Sequence, residues 1–226
     1  MPKRSKAQLE IKPKRVGRPL NSDNCAYKQA ILDAAIWVFS EKGLAASTIK
    51  EVSRRAEVTP ALVHYHFGDK NALMEKTLDH FLPPLSERIW SAVNLDCEPL
   101  EMLKEIHRRL QEVIESSPWI APLWSRELAS ESGRLRGYMS SLLDQKTLDR
   151  LVSQVKLGQK QGTINPKLVP ELVFSSIIGG LHFPILTRAV WEKNFKTRKI
   201  TVAMTLEHIR AMADKGFSAG KATDDE

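Results

Sequence analysis

Histidines are the side chains of this 226-residue chain best suited to metal or acid–base chemistry, but the spacing of the six does not form a recognisable site. No His-Glu-x-x-His pair occurs, and His64 and His66 lie two positions apart, which on a helix directs them to different faces. The sequence also lacks the glycine-rich loops that hold nucleotide phosphates and the Gly-x-Ser-x-Gly turn of hydrolases. We therefore expect no enzymatic activity, no cofactor and no metal site.

The remaining composition is that of an ordinary globular protein, with 42% hydrophobic and 27% charged residues. The two cysteines, Cys25 and Cys97, are sparse and unpatterned, which suits a reducing cytoplasm. The first 20 residues are polar and contain no secretory signal. The most apolar stretch, residues 169–186, contains Glu171, Gly179, Gly180, His182 and Pro184. We predict that it forms a buried helix and not a membrane span.

Basic side chains are concentrated in the first 20 residues, which hold seven lysines and arginines against one acidic residue. Such a segment has no apolar face to bury, so it should be disordered alone and bind a polyanion. Its residues 12–19, Lys-Pro-Lys-Arg-Val-Gly-Arg-Pro, resemble an AT-hook, with valine in the place of the first arginine. Lys14, Arg15 and Arg18 are therefore candidates for minor-groove contacts. A solubilising tail is the alternative.

Helical periodicity and caps predict a helix-turn-helix after this arm. A first helix over residues 26–42 carries a buried apolar stripe. Thr48 begins a capping box for a short second helix, and Thr59 caps a third helix whose first residue is Pro60. Gly68 ends that third helix. Two short helices joined by about three residues are typical of DNA-binding helix-turn-helix units.

Residues 43–73 resemble the signature of the tetracycline-repressor (TetR) family of transcriptional regulators. Thr48-Ile-Lys-Glu-Val-Ser-Arg-Arg-Ala-Glu-Val-Thr59 matches the second helix and turn of the family, and Leu62-Val-His-Tyr-His-Phe-Gly-Asp-Lys70 matches its recognition helix. Glu57 stands where the turn usually has glycine, and a left-handed backbone there costs a non-glycine residue about 1 kcal/mol. His64 replaces the usual first tyrosine of the recognition helix, which could change the base edge that is read.

The resemblance implies two sets of DNA contacts. Side chains facing the floor of the major groove would be Lys50, Pro60, Ala61, Leu62 and His64, and those holding phosphates would be Thr48, Tyr65, His66 and Lys70. The chemistry agrees, because hydroxyl, ring N–H and ammonium groups donate to phosphates, whereas small apolar side chains contact thymine methyl groups. Instead of binding phosphates, Tyr65 and His66 could pack against neighbouring side chains, and Lys70 could be a solvated surface lysine.

The rest of the chain also shows helical periodicity, so we predict an all-α protein of about nine helices. Pro83-Pro84 interrupts the pattern, and the further helical stretches are 85–94, 100–116, 119–130, 134–161, 168–191 and 198–215. The expected organisation is a basic arm over 1–22, a three-helix helix-turn-helix domain over 23–82 and a helical effector-binding and dimerisation domain over 83–226.

The resemblance further implies a homodimer that uses the last two helices. Small residues at 175, 176, 179 and 180 independently favour the first of these helices, since they permit close approach of a partner. The candidate interface residues are Leu172, Ser175, Ser176, Gly179, Gly180, Phe183, Met204 and His208. Alternatively, the glycines only bend a core helix.

Large apolar residues with a few polar anchors in the middle helices are candidates for an effector pocket. They are Trp90, Met102, His107, Trp119, Trp124, Glu127, Leu128, Phe174 and His182. Aromatic residues at helical spacing also occur in ordinary cores, which is the alternative for each of them.

Together these features predict a transcriptional regulator that binds double-stranded DNA as a homodimer, without a membrane. Its simplest form is a repressor that binds a palindromic operator and is released by a small-molecule effector. The alternative is an architectural or other DNA-binding interaction protein without an effector. A palindromic footprint would favour the regulator, and diffuse protection the architectural binder. An enzyme with an incidental helical domain is disfavoured by the missing catalytic motifs.

Overall fold

The computed structural model describes residues 21–91, 93–129, 135, 145–195 and 199–219. These residues form nine helices and contain no strand, which confirms the all-α prediction. The candidate minor-groove residues Lys14, Arg15 and Arg18 lie outside the described residues. The helices are α1 (Asn21–Lys42), α2 (Ile49–Arg55), α3 (Pro60–Phe67), α4 (Lys70–Trp90), α5 (Pro99–Ser116), α6 (Ile120–Ala129), α7 (Gln145–Lys160), α8 (Pro170–Phe195) and α9 (Val202–Phe217).

The caps read from the sequence determine where the short helices begin. Thr48 Oγ1 accepts a hydrogen bond from the Glu51 N–H at 3.3 Å, and Glu51 Oε2 accepts one from the Thr48 N–H at 3.0 Å, which completes the capping box. Thr59 Oγ1 likewise accepts from the Leu62 N–H at 3.2 Å, and Asp69 caps α4. Each cap satisfies backbone donors that a helix start otherwise leaves unpaired.

The turn between α2 and α3 bends through a left-handed residue. Glu57 has a φ of 55°, the one positive φ among the described non-glycine residues. The turn needs this conformation, and glycine would adopt it without the clash of a Cβ atom. The predicted backbone strain at this position is therefore present.

Replacing Glu57 by glycine is expected to raise the free energy of unfolding by about 0.5–1 kcal/mol, because the strain removed outweighs the added freedom of the unfolded chain. Glu57→Ala is the matched control, since it removes the carboxylate and keeps the Cβ. Urea unfolding of the three proteins measures the difference. If Glu57→Ala raises the free energy of unfolding as much as Glu57→Gly, the gain comes from removing the carboxylate, which would contradict the backbone explanation.

Helix α4 runs through Pro83 and Pro84, so the predicted interruption at these residues is wrong. Each proline removes a helix N–H donor and disfavours the helix by about 3 kcal/mol. Burial offsets that cost, because Leu82 and Leu85 flank the prolines and are buried while α4 packs against α1 and α5. The consequence is one continuous helix that begins beside α3 and ends among the C-terminal helices.

Helix α8 is buried on one face only, which corrects the prediction of a buried helix. Its most apolar 18-residue window has a mean hydropathy of 1.4, so by length and composition alone the helix could cross a membrane. Only 22% of that window is buried in the structure. Val173, Ile177 and Leu181 lie in the core. Large apolar side chains on the opposite face are exposed, including Phe183 at 66%. This open face needs a cover, either a membrane or another protein surface.

Candidate nucleic-acid interface and effector cavity

The recognition helix α3 is oriented by its buried side. Val63 is fully buried in the hydrophobic core, which turns the opposite side of the helix outwards. Of the five residues predicted to face bases, Leu62 is half-buried and the others are exposed, namely Lys50, Pro60, Ala61 and His64. The structure therefore presents these side chains on the surface that a DNA groove would meet.

The His64 ring is held by the end of its own helix. Nδ1 lies 2.7 Å from the carbonyl oxygen of Gly68. A carbonyl can only accept, so Nδ1 carries a proton, and in the tautomer with that proton alone Nε2 is an acceptor. In the major groove the partners for such an acceptor are the amino groups of adenine and cytosine.

The predicted phosphate contacts differ in how available they are. Tyr65 is 78% exposed. Lys70 Nζ donates to the Ala45 carbonyl at 2.5 Å, so it ties the start of α4 to the loop before α2 and retains two further protons for a phosphate. The Thr48 hydroxyl donates to Glu51 Oε2 at 3.0 Å and must leave that carboxylate to reach a phosphate. Lys42 and then Thr48 lower the pKa of Glu51 by hydrogen bonding, which keeps it charged.

The His66 side chain is packed more than the implied phosphate role suggests. Its Nε2 is buried and has no hydrogen-bond partner among the described residues, and the ring lies edge-on to Tyr65 at 5.0 Å between centroids. Burial, followed by the charge of Lys28, lowers the pKa of His66 and favours the neutral ring. This geometry favours the packing alternative.

An apolar cavity of about 60 Å³, partly open to solvent, lies between α4, α5, α6 and α8. Four of the predicted effector residues line it: Trp90, Trp124, Phe174 and His182. Trp90 packs against Phe174 at 5.5 Å and Trp124 against His182 at 5.6 Å, measured between ring centroids. The remaining lining residues are Leu82, Leu85, Ser86, Ile89, Leu110, Val113, Ile114, Ile120 and Ile178.

The other predicted pocket residues lie elsewhere. Met102 is fully buried in the core, and Trp119 packs edge-on against Phe81 at 5.5 Å. His107 is buried close to Asp214 and Arg210 of α9, and its pKa is lowered by that burial. The side chain of Leu128 lies outside the described residues. Helical periodicity identified these residues as inward-facing but could not separate core from cavity.

Glu127 does not line the cavity and instead joins α6 to the segment that follows α1. Its Oε1 accepts a hydrogen bond from the buried Leu44 N–H at 2.9 Å, just after α1 ends. The neighbouring Arg126 donates from Nε to the Ser40 carbonyl at 3.2 Å. Two adjacent residues of α6 thus satisfy backbone groups at the end of α1, a link that the sequence gave no signal to find.

Glu127→Ala is expected to lower the free energy of unfolding by about 1–3 kcal/mol, because it leaves the Leu44 N–H buried without an acceptor. Glu127→Gln keeps an amide oxygen at the same position and should retain most of the stability. Chemical denaturation measures both, and amide exchange at Leu44 should accelerate in the alanine variant alone. If both variants lose the same stability, the negative charge matters and not the hydrogen bond.

The predicted dimer residues all lie on the surface of α8 and α9. A Cβ atom built on Gly179 or Gly180 meets nothing within 4 Å in the described part of the chain, so these glycines do not lie in the core that those residues form. Leu172 and Phe183 extend the same face, and Met204 is half-buried on α9. The remaining predicted interface residues, Ser175, Ser176 and His208, are exposed.

Sequence reasoning missed the C-terminal part of this exposed face. Val190, Trp191 and Phe195 continue it along α8, and Trp191 stacks on Phe195 at 6.0 Å between centroids. Trp191 and Phe195 also line an open groove of about 850 Å³ between α8 and α9. The spacing of three to four residues from Phe183 onwards could have indicated them.

Comparisons with known proteins agree with this geometry. A family model described as bacterial regulatory proteins, tetR family, matches residues 31–77. The HTH-type transcriptional regulator RutR of Escherichia coli O157:H7 is 30% identical over 200 residues, which cover 85% of this chain and 91% of RutR. BetI of Rhizobium meliloti is 30% identical over 97 residues, which cover 43% of this chain and 48% of BetI. This chain thus matches about half the length of BetI and most of RutR.

One solved structure of a transcriptional regulator shares the all-α architecture over nearly the whole length of both chains. The ketosteroid transcriptional regulator KstR2 of Mycobacterium tuberculosis matches with a TM-score of 0.65 and 21% identity, covering 90% of this chain and 99% of KstR2. This likeness supports the fold, including the C-terminal helices that the family model does not reach.

Proposed function

This chain belongs to the TetR family of bacterial transcriptional regulators, and from that premise we propose that it is a homodimeric repressor released from a palindromic operator by a small effector. The proposed partners are double-stranded DNA, a second copy of the chain and the effector, and the proposed location is the cytoplasm. RutR is named a transcriptional regulator, and KstR2, which is 26% identical over 149 residues, a transcriptional repressor. These names support a regulator and favour repression over activation.

The observation that carries the proposal is that two helices lining the cavity also contact the helix-turn-helix. Helix α6 lines the cavity with Trp124 and holds the Leu44 N–H with Glu127. Helix α4 lines the cavity with Trp90 and, at its other end, holds the loop before α2 through Lys70. A molecule that widens the cavity therefore pushes on two helices that position the helix-turn-helix.

Release then follows as a shift between two populations. Two recognition helices enter successive major grooves only when their centres lie about 34–36 Å apart. An effector that binds better to a form with another separation draws the dimer into that form, and the operator affinity falls by the ratio of the two effector affinities. An effector with equal affinity for both forms would change nothing.

Mapping the sites occupied across the genome tests the proposal. We expect discrete sites that share an inverted repeat, with higher expression of the adjoining genes when the protein is deleted. Diffuse occupancy without a shared repeat would support an architectural DNA binder. Discrete sites with lower expression on deletion would support an activator.

The recognition helix yields a separate prediction for two adjacent residues. Adjacent helical positions point about 100° apart, so His64 can face a base while Tyr65 faces the backbone. His64→Ala should relax the preference for adenine or cytosine at one position of each half-site, at a cost of about 1–3 kcal/mol for the favoured base. Tyr65→Phe, which removes only the hydroxyl, should weaken binding to all DNA sequences by the same factor.

Binding-site selection on the two variants and the parent protein measures these preferences. A uniform loss of affinity for His64→Ala would contradict the base-reading role. A guanine at the affected position would contradict the acceptor assigned to Nε2, because guanine offers only acceptors on its major-groove edge.

A further inference from the structure

One polar atom of the cavity wall has no hydrogen-bond partner among the described residues. His182 is 7% exposed, its Nδ1 lies 2.8 Å from the Ile178 carbonyl oxygen, and its Nε2 is buried with no partner in the described part of the chain. Because the carbonyl accepts, Nδ1 carries the proton and Nε2 is left as an acceptor. Burial lowers the pKa of His182, which keeps the ring neutral. A buried acceptor without a partner is unfavourable, and a ligand that donates to it removes that penalty.

The surroundings of this atom exclude charge. None of the residues that line the cavity carries a charged side chain, and most of them are aliphatic or aromatic. An anion bound there would lose its hydration without a countercharge, which disfavours its binding. An uncharged, mainly apolar molecule loses little hydration on entering.

The cavity can reach ligand size through one wall. At about 60 Å³ it is far below the roughly 300–1,000 Å³ typical of ligand pockets. An open cleft of about 400 Å³ lies behind it and shares Trp124, Ile178 and His182 with it. These three side chains form the partition, and the cleft is also lined by uncharged residues such as Ser175 and Phe183. Movement of the Trp124 and His182 rings would join the two spaces.

We propose that the effector is an uncharged, mostly apolar molecule that fills the cavity and the adjoining cleft together and donates one hydrogen bond to Nε2 of His182. This inference rests on the proposed function, because it names the chemical class of effector for the same regulator. The cleft is lined in part by Ser175, Gly179 and Phe183, which are also proposed dimer-interface residues, so an effector in the cleft would act directly on that interface.

Three probes of one shape test the inference on the full-length protein by calorimetry. 4-Butylphenol offers a donor, 4-butylanisole replaces its hydroxyl by a methyl ether, and 4-butylbenzoate is an anion. We expect the phenol to bind about tenfold more tightly than the anisole, as one recovered hydrogen bond implies, and the benzoate to bind most weakly. Equal affinity for phenol and anisole, tightest binding of the benzoate or no binding of any probe would overturn the proposal.

His182→Phe removes the acceptor and keeps an aromatic ring, so the ratio of phenol to anisole affinity should fall to about one. Trp90→Phe is the matched control, because it alters the cavity wall away from the acceptor and should keep the preference for the phenol. An unchanged ratio in His182→Phe would overturn the proposal. If that variant does not fold, ¹⁵N NMR of the parent decides, since the His182 Nε2 resonance should shift with the phenol and not with the anisole, and equal shifts would overturn it.

Operator binding by the same unliganded samples separates this inference from the function on which it rests. If the parent protein binds a palindromic operator but does not discriminate phenol from anisole, the effector class is wrong and the regulator stands. If no operator is bound, the proposed function itself fails.

Discussion

Replacing Gly179 by leucine is expected to convert the protein to a monomer and to weaken operator binding roughly a thousandfold, towards the level of non-specific DNA. The leucine would project from the open face of α8, where a Cβ meets no atom of the described residues within 4 Å. The fold therefore accommodates it, and leucine favours a helix over glycine by about 0.5–1 kcal/mol. In a two-fold dimer the same patch meets its own copy, so each added side chain obstructs the interface twice.

Gly216→Leu is the matched control for this experiment. Gly216 also lies in a helix, α9, and a Cβ there also meets nothing within 4 Å, but it is not among the proposed interface residues. Sedimentation measures the mass, circular dichroism the helix content and titration the operator affinity. A Gly179→Leu protein that stays dimeric and binds its operator would move the interface away from this part of α8.

Removing residues 1–20 is expected to weaken binding to every DNA sequence by about a hundredfold or more at low salt. The segment carries seven bases against one acid, whereas residues 21–81 hold seven bases against eight acids. The arm therefore supplies most of the net charge that releases counterions from DNA. The dependence of log K on log salt should flatten by several units, because each phosphate contact contributes about 0.9 to the slope.

Titrations at several salt concentrations, with specific and unrelated DNA, measure this effect. Loss of sequence preference with an unchanged salt slope would contradict an electrostatic arm. Arg18→Lys is the matched control, since it keeps the charge but changes the shape of the group proposed to enter the minor groove. A preference for flanking A·T pairs that disappears in this variant would support the resemblance to an AT-hook.

The sequence predicted the helix-turn-helix well because its signals are local. Thr48, Thr59 and Asp69 each bind a backbone N–H three residues away, so the residue type alone indicates where a helix begins. The left-handed backbone at Glu57 followed from the resemblance, which places glycine at that position of the turn.

Features that depend on distant contacts could not be predicted in this way. Pro83 and Pro84 locally favour a break, but burial of Leu82 and Leu85 against other helices outweighs that preference. Glu127 has the residue type of a pocket anchor, yet its partner is Leu44, 83 positions earlier in the chain. Inward-facing residues could be identified by periodicity, but which of them line a cavity depends on how several helices pack together.

The central claim is that two copies of the recognition helix, held at a fixed separation, read two half-sites on one face of DNA. The most direct test compares the affinity for the selected palindrome with that for the same palindrome carrying five extra base pairs at its centre. The insertion rotates one half-site by about half a helical turn relative to the other, so the second recognition helix of the dimer can no longer reach it. We expect the affinity to fall to that of a single half-site. Equal affinity for both DNAs would contradict the claim, because it would mean that the two heads bind independently.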